Sequence, residues 1–200
     1  MAPMTAVGTF ERPAHGSTDE RATPVGIGVV VWLASELMFF AGLFAAYFSL
    51  KAHNEPIWPP SDVQFELARS AVFTAVLISS SFTMHFAIKA ADERRRSASL
   101  ALLLTTLVLG ALFLANQLLE YAALDFSVDT HAYGTIFYTL TGFHGLHVAG
   151  GLVALGVIAW VVFSRHSRMP SAHTIRVTGY YWHFVDVVWV AVFLVVYVLR

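Results

Sequence analysis

Cysteine is absent from this 200-residue chain. Disulfides, thiolate-ligated metals and iron–sulfur clusters are therefore excluded, and His, Asp and Glu remain as the strong candidate ligands. Charge is scarce as well: charged residues make up 12% of the chain against 57% for hydrophobic ones, and the mean hydropathy is +0.65. That balance lies outside the range of a soluble domain and marks an integral membrane protein. The twelve basic residues are spread among loops and the formal net charge is −1, so no patch points to nucleic acid. Residues 1–24 lack the basic segment followed by an apolar one that a signal peptide needs. They read as a short cytoplasmic tail before a single membrane domain over 25–200. No internal repeat of the transporter kind is visible.

What is abundant is uninterrupted apolar sequence. An apolar run of about 20 residues crosses a bilayer as a helix, and five such runs occur: Val25 to Leu50, Leu67 to Ile88, Ser97 to Tyr121, Gly134 to Phe163 and Val177 to Leu199. The expected fold is an all-α bundle of five transmembrane helices. Basic residues favour the cytoplasmic side. With the N-terminus inside, nine of the twelve fall there, and Lys51, Arg69 and Arg200 fall outside. The C-terminus is then external. The 51–66 loop, with three prolines and Trp58, reads as a stiff outer connection.

Ionisable side chains at membrane depth are costly and are functional hypotheses by default. They are Glu36, His85, Glu120, His144, His147, His183 and Asp186, and no Lys or Arg lies deep enough to pair with Glu36 or Asp186. At a rise of about 1.5 Å per residue, Glu36 and Asp186 lie about 16 and 14 Å from the inner end of their spans, His183 about 9 Å and His85 about 5 Å. The same count puts His147 and His144 about 24 and 28 Å from that end, beside Gln117 and Glu120. An inner group and an outer group are expected.

Helical phase assigns faces. Gly28, Ser35, Gly42 and Ser49 recur every seven residues as a seam that another helix can approach closely. Glu36 flanks that seam among Trp32, Phe39 and Phe40. Such an apolar wrap disfavours a bare carboxylate, so a neutral acid is expected, either bridging the seam structurally or handling protons. In the fourth span Gly142, Gly145, Ala149 and Gly156 form one small face, with His144, His147 and Gly151 roughly opposite. That makes the fourth helix the expected centre of the bundle, and His144 with His147 a buried packing pair. In the fifth span His183 and Asp186, one turn apart, are placed to hydrogen-bond each other. His144-x-x-His147 supplies two ligands on one helix, but metal sites usually need more, and His85 and His183 lie at the other end. No metal site is expected.

These segments resemble a known family. "SELMFFAGLFAAYF" (Ser35 to Phe48), "WPP" (Trp58 to Pro60), "NQLLEY" (Asn116 to Tyr121), "TGFHGLHV" (Thr141 to Val148) and "YWHFVDVVW" (Tyr181 to Trp189) occur in order, and they are similar to the motifs of subunit III of aa3-type haem-copper cytochrome c oxidases. Longer members have seven helices, with lipids in a cleft beside the first two; this chain begins at their third, as in short bacterial, actinobacterial forms. The resemblance implies a non-redox accessory subunit in a bacterial plasma membrane, with no cofactor of its own. Haem a and copper would belong to subunits I and II, which reduce oxygen and pump protons, and structural phospholipids would be bound. Its implied roles are to sustain proton uptake, to stabilise the oxygen-reducing site and to order lipid for oxygen access; a cytochrome bc-type complex is a further partner it implies, in a supercomplex. Glu36, His144, His147, His183 and Asp186 match the family's buried polar positions. Two readings from other classes stand beside it: a self-sufficient membrane haem or metal protein using His144 and His147, and a small ion-coupled transporter using Glu36 and Asp186.

Overall fold

The computed structural model describes residues 24–54, 56–61, 63, 66–164, 170 and 172–199. The expected tail and the basic residues Arg12, Arg21, Arg165, Arg168 and Arg200 lie outside these. The described chain is all-helical: α1 (Pro24–Asn54), α2 (Leu67–Asp92), α3 (Arg96–Ala123), α4 (Ala132–Phe163) and α5 (Ala172–Phe193). α5 runs on into a π-helical turn, Leu194–Val198. All five helices are long and apolar enough to cross a membrane, as the apolar runs predict. α4 is capped at its start by His131, whose Nδ1 accepts from the Gly134 amide at 2.7 Å. Arg96 closes its end by donating to the Val162 and Ser164 carbonyls at 2.7 and 2.8 Å.

α2 lies along α3 and against α5, α3 lies against α4, and α4 against α5; α1 packs on α4 and α5. α1 is the least enclosed helix. α4 and α5 share the centre, α4 packed on α1, α3 and α5, and α5 on α1, α2 and α4. The two small faces of α4 give it that place. For α5 the reason is aromatic. Trp182 and Trp189, one heptad apart, both turn inward and are almost fully buried. Each indole N–H finds a hydroxyl on α2: Trp182 donates to Ser80 Oγ at 2.8 Å and Trp189 to Thr74 Oγ1 at 3.0 Å. Large rings with a satisfied polar edge are the cheapest way to fill a wide interior.

Trp182 has room because two helices lack a side chain beside it. A β-carbon on Gly110 would lie 2.5 Å from its Cη2, and one on Gly151 2.8 Å from its Cε3. The Gly142, Gly145 and Gly156 face meets α3 at ordinary contact distances of 3.7 to 3.9 Å, from Tyr121, Leu114 and Leu107. Ala149 lies half-buried on the same helix. The α1 seam behaves otherwise. Gly28, Ser35, Gly42 and Ser49 are all exposed, and nothing lies within 4 Å of a β-carbon on either glycine. α1 buries Phe40 and Tyr47 on the opposite side, so none of the described helices approaches the seam.

Gly110→Ala and Gly151→Ala should each cost about 1–3 kcal/mol by overpacking the Trp182 slot. Gly28→Ala and Gly42→Ala should leave the chain's own stability unharmed. Thermal unfolding of the detergent-solubilised protein, followed by tryptophan fluorescence, reads both sets.

Candidate functional site

The polar residues inside the bundle gather in three places. The first joins α1 to α4. His147 Nε2 lies 3.0 Å from Glu36 Oε2, and its Nδ1 lies 2.7 Å from the Phe143 carbonyl. A carbonyl only accepts, so Nδ1 carries hydrogen. One proton is then left for the Glu36–His147 contact: it sits on the acid, with Nε2 accepting, or on Nε2, with a carboxylate accepting. In either form the pair is electrically neutral, which suits its depth. Around it Trp32 stacks on Tyr181 (5.2 Å, 10°), Phe40 meets the His147 ring edge-on (5.2 Å), and Tyr181 donates to the His147 carbonyl at 2.8 Å.

This geometry corrects two expectations. Glu36 is not wrapped by apolar groups alone, since it faces a histidine. Nor does His147 belong with Gln117 and Glu120. The depth count took Phe163 as the membrane plane, yet 32 residues of α4 span about 48 Å, well beyond the apolar core of about 30 Å. Counting from an end that protrudes pushes every residue too deep. His144 and His147 also part company. His144 is 1% exposed, has no hydrogen-bond partner for either ring nitrogen among the described residues, and packs on Trp189 (4.8 Å) and Phe113 (6.0 Å).

The second place lies between α2 and α5. The Ser81 hydroxyl donates to Asp186 Oδ2 and lies 3.0 Å from His183 Nδ1. His183 and Asp186 were expected to bond directly; a serine of the facing helix bridges them instead. Asp186 is 5% exposed and its Oδ1 has no partner among the described residues. His183 is half-buried, and His85, one turn along α2 from Ser81, is exposed on the outer surface. The middle of "SSSF" carries two separate tasks: Ser80 holds Trp182 and Ser81 holds the acid. A polar run within an apolar span was the signal for both.

The third place is at the opposite end of α2. Arg69 donates to Asn116 Oδ1 at 2.7 Å, and Ser70 to Glu120 Oε1 at 3.4 Å. The π-turn brings Tyr197 to Glu120 and Gln117. Neither Arg69 nor Tyr197 was singled out from the sequence. Among the described residues, no three His, Asp or Glu side chains gather closely enough to hold a metal ion.

The arrangement is that of a helical scaffold with polar groups paired across its helix contacts. The family model described as cytochrome c oxidase subunit III matches residues 8–200. The chain belongs to this family. The probable cytochrome c oxidase subunit 3 of Nocardia farcinica is 40% identical, over 98% of this chain and 99% of the relative. That of Mycobacterium tuberculosis is 43% identical over 90% of each chain. The cytochrome c oxidase subunit 3 of Thermostichus vulcanus is 40% identical over 93% of this chain and 90% of its own. This member of the subunit III family is accordingly a multi-pass bacterial membrane protein and part of an oxidase complex, with actinobacterial relatives as its short form implied.

Glu36 and His147 lie on the contact that attaches α1, their side chains 23% and 16% exposed. A double-mutant cycle of Glu36→Leu and His147→Leu should show a coupling of about 0.5–3 kcal/mol, because each single change strands the other group. Thermal denaturation of the assembled oxidase measures it, and additive effects would mean that the pair does not hold α1.

Proposed function

We propose that this chain is the non-redox accessory subunit of an aa3-type oxidase, docked on subunits I and II, and that it sustains proton uptake into the core, steadies the oxygen-reducing site and orders lipid through which oxygen arrives. Haem a and copper reside in the partners, and this chain has no catalytic centre of its own. The N-terminus is cytoplasmic and the C-terminus external. In support, Lys89, Arg94, Arg95, Arg96 and Arg176 cluster at one end of the described helices, against Lys51 and Arg69 at the other. The outward Gly28–Ser35–Gly42–Ser49 seam is the candidate docking face.

The observation that carries the proton reading is the His183–Ser81–Asp186 chain. A serine hydroxyl has one hydrogen and two lone pairs, so it accepts from one neighbour while it donates to the other. With Asp186 ionised, His183 Nδ1–H donates to Ser81 and Ser81 to Asp186. With Asp186 protonated, every bond reverses. With Nε2 of His183 keeping its hydrogen throughout, the two polarities differ by one proton passed from the imidazolium to the carboxylate along the line, with no heavy atom moved. His85 supplies an exposed titratable group beside the His183 end of the line, towards the basic end of the bundle. Glu36–His147 works as a static pair, since its Nδ1 faces a carbonyl.

Protons in solution become scarce as pH rises, so a relay matters most on the alkaline side. Removing this chain should make the oxidase lose activity during turnover, preferentially at high pH. Ser81→Ala in the assembled oxidase should slow alkaline turnover several-fold while leaving turnover below neutral pH close to wild type. Steady-state oxygen consumption across pH tests both, and pH-independent behaviour would leave the subunit a structural role alone.

A further inference from the structure

The turn from α2 to α3 is the most basic point of the described chain, with Arg94, Arg95 and Arg96 in succession. Arg94 closes the turn in the left-handed region at φ 56°, and its side chain is exposed. Arg95 reaches Glu93 at 3.3 Å, with both side chains largely open to the surroundings, so that pair binds weakly. Arg96 is committed to the last carbonyls of α4, and this fastens the turn to the far end of another helix.

Between the fastened ends opens a cavity of about 770 Å³. Arg94, Arg95 and Arg96 form its ionic side, and Leu100, Val162 and Phe163 its apolar side. The cavity lies where α2 ends, α3 begins and α4 ends, which in a spanning bundle is headgroup level. Trp160 and Phe163 stand 70% and 64% exposed on its α4 flank, in the manner of side chains that seat a helix at the membrane interface.

We propose that this cavity binds an anionic glycerophospholipid, its phosphate held by Arg94 and Arg95 and the first part of an acyl chain lying along Leu100, Val162 and Phe163. Guanidinium groups match phosphate oxygens in geometry and charge, and basic residues at a membrane surface draw in anionic lipid. Free phosphate would satisfy the arginines but leave the apolar wall unmatched. A choline lipid would match that wall but bring a quaternary ammonium towards three like charges. The proposal rests on the chain spanning a membrane and not on the proton relay, so either can fail alone.

Native mass spectrometry of the whole delipidated oxidase, titrated with phosphatidylglycerol, phosphatidylcholine or inorganic phosphate, tests it. Arg94→Asn suits the left-handed turn, because Asn tolerates that conformation, and Arg95→Gln removes only a weak surface pair. The two are read singly and together, with the thermal midpoint as the check on folding. Wild type should retain phosphatidylglycerol in preference to phosphatidylcholine, and each substitution should raise the half-saturating phosphatidylglycerol concentration about fivefold, the weight of one basic residue near an anionic surface. Phosphatidylcholine retention should not change. Equal retention by wild type and variants overturns the proposal. So does displacement of the lipid by an equal concentration of inorganic phosphate, which would make this a free-anion site.

Discussion

The bundle depends on one indole. Trp182 leaves α5, passes into a slot made by Gly110 of α3 and Gly151 of α4, and donates to Ser80 of α2. Four helices meet on a single rigid side chain. Lipid tails are as apolar as leucine, so helices in a membrane gain little by hiding apolar surface from one another. Fit and hydrogen bonding remain. A ring with one polar edge uses both, and its flat face demands glycine on two sides. The centrality of α5 follows, as does the heptad register in which Trp189 repeats the arrangement towards Thr74.

With α5 fixed against α2, Ser81 comes to stand opposite His183 and Asp186, next to the serine that Trp182 uses. Packing and chemistry are thus adjacent in sequence and set by the same helix pairing. α1 is bound differently, by a stacked Trp32 on Tyr181 and a polar pair on His147. Its other side is apolar and small-featured, with Val31 and Met38 64% and 77% exposed. α1 therefore turns one side to the bundle and leaves the other, apolar and small-featured, outside it.

Much of this was legible beforehand, and for a physical reason. A bilayer admits few designs, so five apolar runs imply five helices before any packing is known. The motifs carried the family. What could not be read was which helix faces which. Helical phase marks the small seam of α1 and the small face of α4, yet it says only that two sets of residues lie on opposite sides. It does not say which side meets protein: the α4 face meets α3, and the α1 seam meets nothing among the described residues. The Glu36–His147 contact was missed because a depth ladder needs a membrane plane, and α4 is too long for its end to mark one. Ser81 was missed because a serine in a membrane helix commonly bonds its own backbone, as Ser79 does to the Ala75 carbonyl.

The π-turn at the end of α5 has its own arithmetic. It holds one more residue per turn than the helix before it, with the Leu199 amide reaching back to the Leu194 carbonyl at 2.8 Å. A wide turn of this kind takes up one extra residue within nearly the rotation and rise of an ordinary turn. The helix therefore enters and leaves Leu194–Val198 in nearly one direction, and the wide turn re-aims only the residues inside it. Those residues make the contacts: Tyr197 faces Glu120 and Gln117, and the Val196 carbonyl accepts from the Tyr133 hydroxyl at 3.2 Å. The extra residue thus acts as a local adjustment of aim, which lets one tyrosine reach the polar residues of α3 without turning the rest of α5.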